Sequence, residues 1–382
     1  MDFEILQVLS HLDANHMALA LTSLGICLAI IASRKHMPFL AGRSQDLGAV
    51  QSTHVRNTPR VGGIAIFAAL LVSLTVAPGS EINVYVNIIS AAGILFAVGL
   101  FEDLGLNVPP KFRLLAAIVA SFCAILMLGT WIPRTDIPVV DVLLKYWFVG
   151  GPVTLLITAG IANGFNLIDG VNGLAAFTAM SAALALCLIA GLAGYSSMVQ
   201  FTTFLLAIIF GFFLMNYPFG LIFLGDAGAY TIGFVLSWCG IAILIYAPEV
   251  SPWALLLTMF WPICDMLMAI FRRFRSKSEV SHPDRMHMHQ MVMRAMEICL
   301  LGQSNRNISN PLATLVLAPF IIIPPLTGVY FWNQSTSAFL STLVFGTIFC
   351  TIYAIAPSLI RRRRRRSVDA SLTPTRSMPA AE

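Results

Sequence analysis

GLAAFTAMSAALALCLIAGLA, residues 173–193, runs for 21 positions without a charged side chain. As a helix rising about 1.5 Å per residue it is about 30 Å long, the thickness of a bilayer's hydrocarbon core. The same pattern recurs along the chain. Apolar stretches of comparable length fall near 16–33, 61–78, 83–101, 113–132, 142–162, 198–215, 227–247, 253–271, 311–331 and 337–359. Short polar breaks such as Pro78-Gly79-Ser80-Glu81 and Trp332-Asn333-Gln334-Ser335 separate them. The pattern predicts an all-α integral membrane protein of about eleven transmembrane helices. The fifth segment is the weakest, because Lys145 sits near its start and Gly150-Gly151-Pro152 interrupts it. Composition agrees: 58% of the 382 residues are hydrophobic, 11% are charged, and mean hydropathy is +0.82. Soluble domains carry about 25% charged residues.

Counting Lys and Arg sets the orientation. With eleven spans, the connections after spans 1, 3 and 9 and the stretch after span 11 share one face. That face holds 21 of the 23 basic residues, and only Arg134 and Lys145 lie opposite. The positive-inside rule makes it cytoplasmic, with the N-terminus outside and the C-terminus inside. Residues 1–360 then form one polytopic domain, and 361–382 read as an Arg-rich, disordered cytoplasmic tail anchored on anionic lipid. The net charge of +5 is accounted for by these membrane-edge residues and does not imply nucleic acid. The first apolar segment reads as a retained helix, since no basic region precedes it. The seven cysteines are scattered through or beside apolar spans without metal-ligand spacing and read as packing residues.

Five polar clusters remain, all on the cytoplasmic face, in loops 34–60, 102–112, 163–173, 216–227 and 272–310. His54, Arg56 and Arg60 precede Gly62-Gly63 at the start of span 2, and suit either phosphate binding or a basic anchor. Glu102-Asp103 follow span 3, with Lys111 and Arg113 leading into span 4. Two adjacent carboxylates at a membrane edge suit a divalent cation or a held proton, or a solvated loop. Asn163, Asn166, Asp169 and Asn172 recur every three residues as a polar ridge able to read a base or ribose, or to orient phosphate and metal. Asp226 lies between Gly225 and Ala227-Gly228 where span 8 begins, either as that helix's N-cap or as a ligand with room beside it. The long loop after Asp265 holds Arg285, His287 and His289, suited to phosphate or sugar. Zinc is disfavoured there because no third soft ligand is near. An enzyme with a one-sided site matches this distribution. A transporter or lipid flippase, the rival class, would place ionisable residues near mid-membrane on its substrate path.

In order and on one face, these clusters resemble the polyprenyl-phosphate N-acetylhexosamine-1-phosphate transferases. The resemblance runs from about Arg43 to Asn310, and its most specific pieces are NGFNLIDGVNGLA (163–175), FLGDAG (223–228) and PDRMHMH (283–289). Three positions depart from the family pattern: Glu102-Asp103 replaces Asp-Asp, Asn172 replaces a second acid, and Gln290 replaces a histidine. A triple-histidine loop typical of the muramoyl-pentapeptide branch is absent, so the N-acetylglucosamine-phosphate branch is the nearer match.

The resemblance implies a multi-helix fold with a cytoplasmic site in the bacterial inner membrane. Its implied partners are a UDP-sugar, polyprenyl phosphate and the lipid bilayer, and it allows a homodimer. A lipid phosphate meets a diphosphate, so Mg²⁺ (or Mn²⁺) and cationic side chains are expected to neutralise charge. Asp226 is the first expected metal ligand and Asp103 the second. Glu102, Asp103, Asp169 and Asp226 are the expected catalytic set. His54, Arg56, Lys111, Asn163, Asn166, Asn172, Arg285, His287 and His289 are expected to bind substrate.

Overall fold

A computed structural model describes residues 13–36, 58–79, 82–276, 287–298 and 305–372. These residues form fourteen helices: α1 Ala14–Ser33, α2 Gly62–Ser73, α3 Ile82–Asp103, α4 Pro110–Leu128, α5 Pro138–Leu144, α6 Trp147–Ile168, α7 Leu174–Leu192, α8 Ser196–Asn216, α9 Gly225–Tyr246, α10 Pro252–Thr258, α11 Phe260–Ser276, α12 Met288–Met296, α13 Arg306–Tyr330 and α14 Ser335–Leu372. Nine of them are long and apolar enough to cross a membrane, and α10 with α11 makes a tenth span bent by 83°. The chain is therefore an all-helical multi-pass membrane protein.

Each of the eleven expected segments falls on a helix, but two differ in kind. The second segment contains only the 12-residue α2, about 18 Å long and short of a full crossing. The ninth is broken at Met259. The fifth is divided beside Lys145, where α5 ends at Leu144, and α6 then runs without interruption from Trp147 to Ile168 with Pro152 inside it. Thr154 supports that first stretch by donating its hydroxyl to the Gly150 carbonyl. Further on, α14 continues as helix through Arg361–Arg366 to Leu372.

The centre of the bundle is α9, with 89% of its apolar window buried, against 17% for α14. Helices in lipid gain little from hydrophobicity, so close packing of small residues must hold them together. A Cβ placed on Gly63 of α2 would lie 2.3 Å from the Gly228 nitrogen, and one on Gly99 of α3 would lie 2.5 Å from the Ala227 nitrogen. Both helices thus meet the first turn of α9 backbone to backbone.

Two sets of contacts define the ends of the bundle. At one end the Arg134 guanidinium donates to the carbonyls of Pro248 and Val250, Ser335 donates to Asp136, and Ser251 N–H donates to Trp332 O. The other end gathers the start of α2, the end of α3, the starts of α4 and α9 and the end of α6. Helix α1 runs parallel to α8: His16 Nε2 lies 2.9 Å from Thr203 Oγ1, and further along both helices a Cβ on Gly211 would lie 2.2 Å from Ala20 O. Its first residues therefore share the end of the bundle with the start of α8, where Tyr85 bonds the Ser197 carbonyl.

Candidate active site

The site is built on the exposed amides of one helix start. Helix α9 begins directly after a short ladder between two segments: Phe223 N–H donates to Pro59 O, Gly62 N–H to Phe223 O, and Gly63 N–H to Leu224 O. Gly225 follows with φ +74°, and a Cβ there would sit 2.0 Å from Arg60 O and 2.6 Å from Asp103 Oδ2. Only glycine has the conformation and the space this turn needs. The first amides of a helix lack internal partners. Here Gly225 N–H donates to Asp169 Oδ2 at 3.2 Å. Asp226 N–H and Ala227 N–H donate to the two oxygens of Asp103, each at 2.9 Å. Two aspartates from two other helices thus cap three consecutive amides.

That arrangement frees the side chain of Asp226 and excludes its reading as a helix cap. The N-cap of α9 is Leu224, which makes no side-chain cap bond. Asp226, 6% exposed, instead accepts from Arg113 Nη1 through Oδ2 and from Asn166 Nδ2 through Oδ1 at 3.0 Å. The charge of Arg60 acts on both Asp103 and Asp169. Three carboxylates therefore meet two guanidiniums around one helix start. Buried charges need partners, and the excess is negative.

Asp169, at the end of α6, is half-buried. Burial first, then the neighbouring Asp226 charge, pushes its carboxyl up to about 7, against the opposing influence of Arg60 and the Gly225 N–H. The sign of the stability effect follows. The unfolded chain releases this proton near 3.8 and the folded chain near 7, so stability falls as pH rises between those values and the full cost stands above 7. At pH 8 the cost is on the order of 4 kcal/mol as an upper bound. Asp169→Asn keeps an oxygen for the Gly225 N–H and removes the charge. The variant is expected to melt higher than the parent at pH 8, with the gap shrinking by more than half at pH 5, while its affinity for UDP falls. Thermal melts at the two pH values check the first part. An unchanged gap would show that Asp169 is not ionised late.

The other expected residues divide. The ridge does not stay in register, because α6 stops at Ile168. Asn166 and Asp169 reach the start of α9, whereas Asn163 bonds back to Ala159 O. Asn172 turns away, with its N–H on Asn310 Oδ1 and its amide on Pro218 O. A carboxylate in its place could not donate to that carbonyl, which accounts for an amide where the family pattern has an acid. Glu102 folds onto Val108 N–H, and Lys111 is exposed at the start of α4. His287 bonds Asp265 at 2.8 Å, and its ring stacks on His289 at 5.7 Å. His289 is buried against Gly170, and burial holds its imidazole down to about 4. His54, Arg56 and Arg285 lie outside the described residues. Arg113 and Asp265 were not among the expected site residues. Arg113 was visible only as a basic residue at a span edge, and Asp265 only as an acid in an apolar span.

Residues 85–244 match the family model described as Glycosyl transferase family 4. The matched stretch contains Asp103, Arg113, Asn166, Asp169 and Asp226. The chain is similar to the decaprenyl-phosphate N-acetylglucosaminephosphotransferase of Mycobacterium tuberculosis, at 26% identity over 94% of this chain and 93% of the relative. It is also similar to the undecaprenyl-phosphate alpha-N-acetylglucosaminyl 1-phosphate transferases of Yersinia pestis and Salmonella typhi. Each of these is 27% identical, over 82% and 72% of this chain and 86% and 77% of the relative. The alignment with the first of these relatives covers 94% of this chain, more than the stretch from Arg43 to Asn310 over which the motifs are spread.

The donor set suits a hard divalent ion. Among the described residues no three His, Cys, Asp or Glu side chains group so as to hold a metal ion by themselves. Mg²⁺ needs no such cage, since it takes one or two carboxylates and fills its octahedron with water and substrate oxygens. Asp226 engages one protein donor on each oxygen, so each oxygen retains a lone pair.

Proposed function

We propose that this chain transfers an N-acetylhexosamine-1-phosphate from a UDP-sugar to polyprenyl phosphate. The products are polyprenyl-diphosphate-sugar and UMP, as the first membrane step of a cell-envelope polysaccharide. The observation that carries the reading is the group Asp226, Arg113, Asn166, Asp103 and Asp169 at the start of α9, inside the matched region and where the bundle meets its polar edge. A phosphate oxygen of the lipid forms a bond to the β-phosphorus while the bond from that phosphorus to the bridging oxygen of UMP breaks. A phosphate monoester has its second pKa near 6, so the lipid phosphate arrives largely dianionic and needs no strong base. Arg113 and Arg60 offset the charge that gathers on the transferring group, as preorganised cations do. Asn166 and Asp169 orient the nucleotide. Asp226, supported by Asp103, would hold Mg²⁺, which when bound neutralises phosphate oxygens and aligns the displacement.

The bias of basic residues supports a site facing the cytoplasm from a bacterial inner membrane. A single cysteine at exposed Lys111, in a cysteine-free background, is expected to label from the cytoplasmic side only. Labelling from outside intact cells would reverse the topology.

Membranes containing the chain are expected to convert radiolabelled UDP-GlcNAc and polyprenyl phosphate into labelled lipid and UMP. Chelation should stop the reaction, and Mg²⁺ or Mn²⁺ should restore it. If no UDP-amino sugar yields lipid product or UMP, a head-group-binding transporter becomes the better reading.

A further inference from the structure

Asp265 is completely buried, at 0% exposure, within an apolar helix. A carboxylate in such a place is expensive unless each oxygen is satisfied. Both are: Oδ1 accepts the Met288 N–H at 3.1 Å, and Oδ2 lies 2.8 Å from His287 Nδ1. A carboxylate only accepts, so the ring nitrogen facing it carries the hydrogen. The two bonds fix the His287 ring by its side chain and Met288 by its backbone, at the start of α12. His287 Nε2 has no hydrogen-bond partner among the described residues. The ring stacks on His289, whose Nε2 packs where a Cβ on Gly170 would come within 2.3 Å. His287 is therefore one stacked ring away from the Asp169-Gly170 turn.

We infer that Asp265 is a positioning residue, holding His287 in the Nδ1–H tautomer so that Nε2 is presented to the bound sugar-diphosphate. The inference rests on the function proposed above for its ligand, but not for its geometry. Of the two adjacent histidines, only His287 has a carboxylate behind it. His289, with both ring nitrogens buried and unpartnered, fills space against the turn. The pattern is that of a buried acid setting the tautomer of a working imidazole from behind, where loss of the acid's charge alone leaves the wrong nitrogen protonated.

Asp265→Asn separates this role from packing. The amide oxygen keeps the Met288 N–H, so its NH₂ must face Nδ1. That contact forces the hydrogen onto Nε2 with almost no change in volume. The test is a cycle of Asp265→Asn, His287→Ala and the double variant in full-length protein, read by kcat and KM for UDP-GlcNAc and by melting temperature. The expected loss for Asp265→Asn is on the order of 10–100-fold in kcat/KM, the range typical of residues that orient a ligand histidine. The double variant should be no worse than His287→Ala. Losses that multiply would overturn the inference, since Asp265 would then act independently of His287. Imidazole ¹⁵N spectra of the parent protein give a readout free of activity: Nδ1 of His287 should be protonated, and a bare Nδ1 overturns the inference even if Asp265→Asn fails to fold. If the parent makes no product from any UDP-sugar, the proposed reaction fails while the spectra still decide the tautomer.

Discussion

Asp226→Asn is expected to lower turnover by a factor on the order of 10² or more, the scale of losing a charge contact made in the transition state. Each oxygen of this carboxylate receives one donor, Arg113 on one side and Asn166 on the other. An amide can serve only one of them and presents its own NH₂ to the other. The substitution thus removes a charge, leaves Arg113 without its counter-ion and sets two donors face to face. Because Asp226 does not cap its helix, a loss of stability would come from this mismatch, at about 1–3 kcal/mol, and not from the end of α9. Activity and metal binding must therefore be read on folded protein. Mg²⁺ with UDP-GlcNAc is expected to raise the melting temperature of the parent and to leave that of the variant unchanged. Normal turnover at limiting Mg²⁺ would remove Asp226 from the metal site.

How much of this was legible beforehand depends on the range of the interaction concerned. Membrane class follows from apolar length, a local quantity. The motifs at 163–175 and 223–228 are equally local, and they contain Asn166, Asp169 and Asp226, which the fold brings together at the start of α9. What stayed hidden are contacts between residues far apart in sequence. The Asp226–Arg113 ion pair spans 113 positions and the Asp103 cap 123 or more. Residue type alone could not reveal that Asp103 serves the amides of another helix, nor that Arg113, and not Lys111, points inward. The three-residue spacing of Asn163, Asn166, Asp169 and Asn172 suggested one ridge, and the end of α6 at Ile168 divides it. Asn172 then answers to the carbonyl of Pro218, which no local pattern indicates.

Asp103→Ala is expected to have the largest effect on stability of any single change at this site. Its two oxygens are the acceptors for the amides of Asp226 and Ala227, both on the most buried helix of the bundle. Removing them leaves two donors without partners where water has little access, at about 1–3 kcal/mol each. Asp103→Asn should lie between, because one amide oxygen replaces two carboxylate oxygens and its NH₂ opposes a second N–H. The expected order of melting temperature is parent, Asn, Ala, and the differences should persist at every Mg²⁺ concentration. That independence separates the capping role from the metal role. A ligand contributes stability only when the ion is bound, so a variant that melts normally without Mg²⁺ but needs more of it would identify Asp103 as a ligand alone. Turnover should fall with the cap in either case, because Asp226 is the second residue of the helix whose first amides Asp103 holds. A start of α9 that shifts by even 1 Å moves the carboxylate away from Arg113 and Asn166 together, and misplacement on that scale can cost as much as 10²-fold.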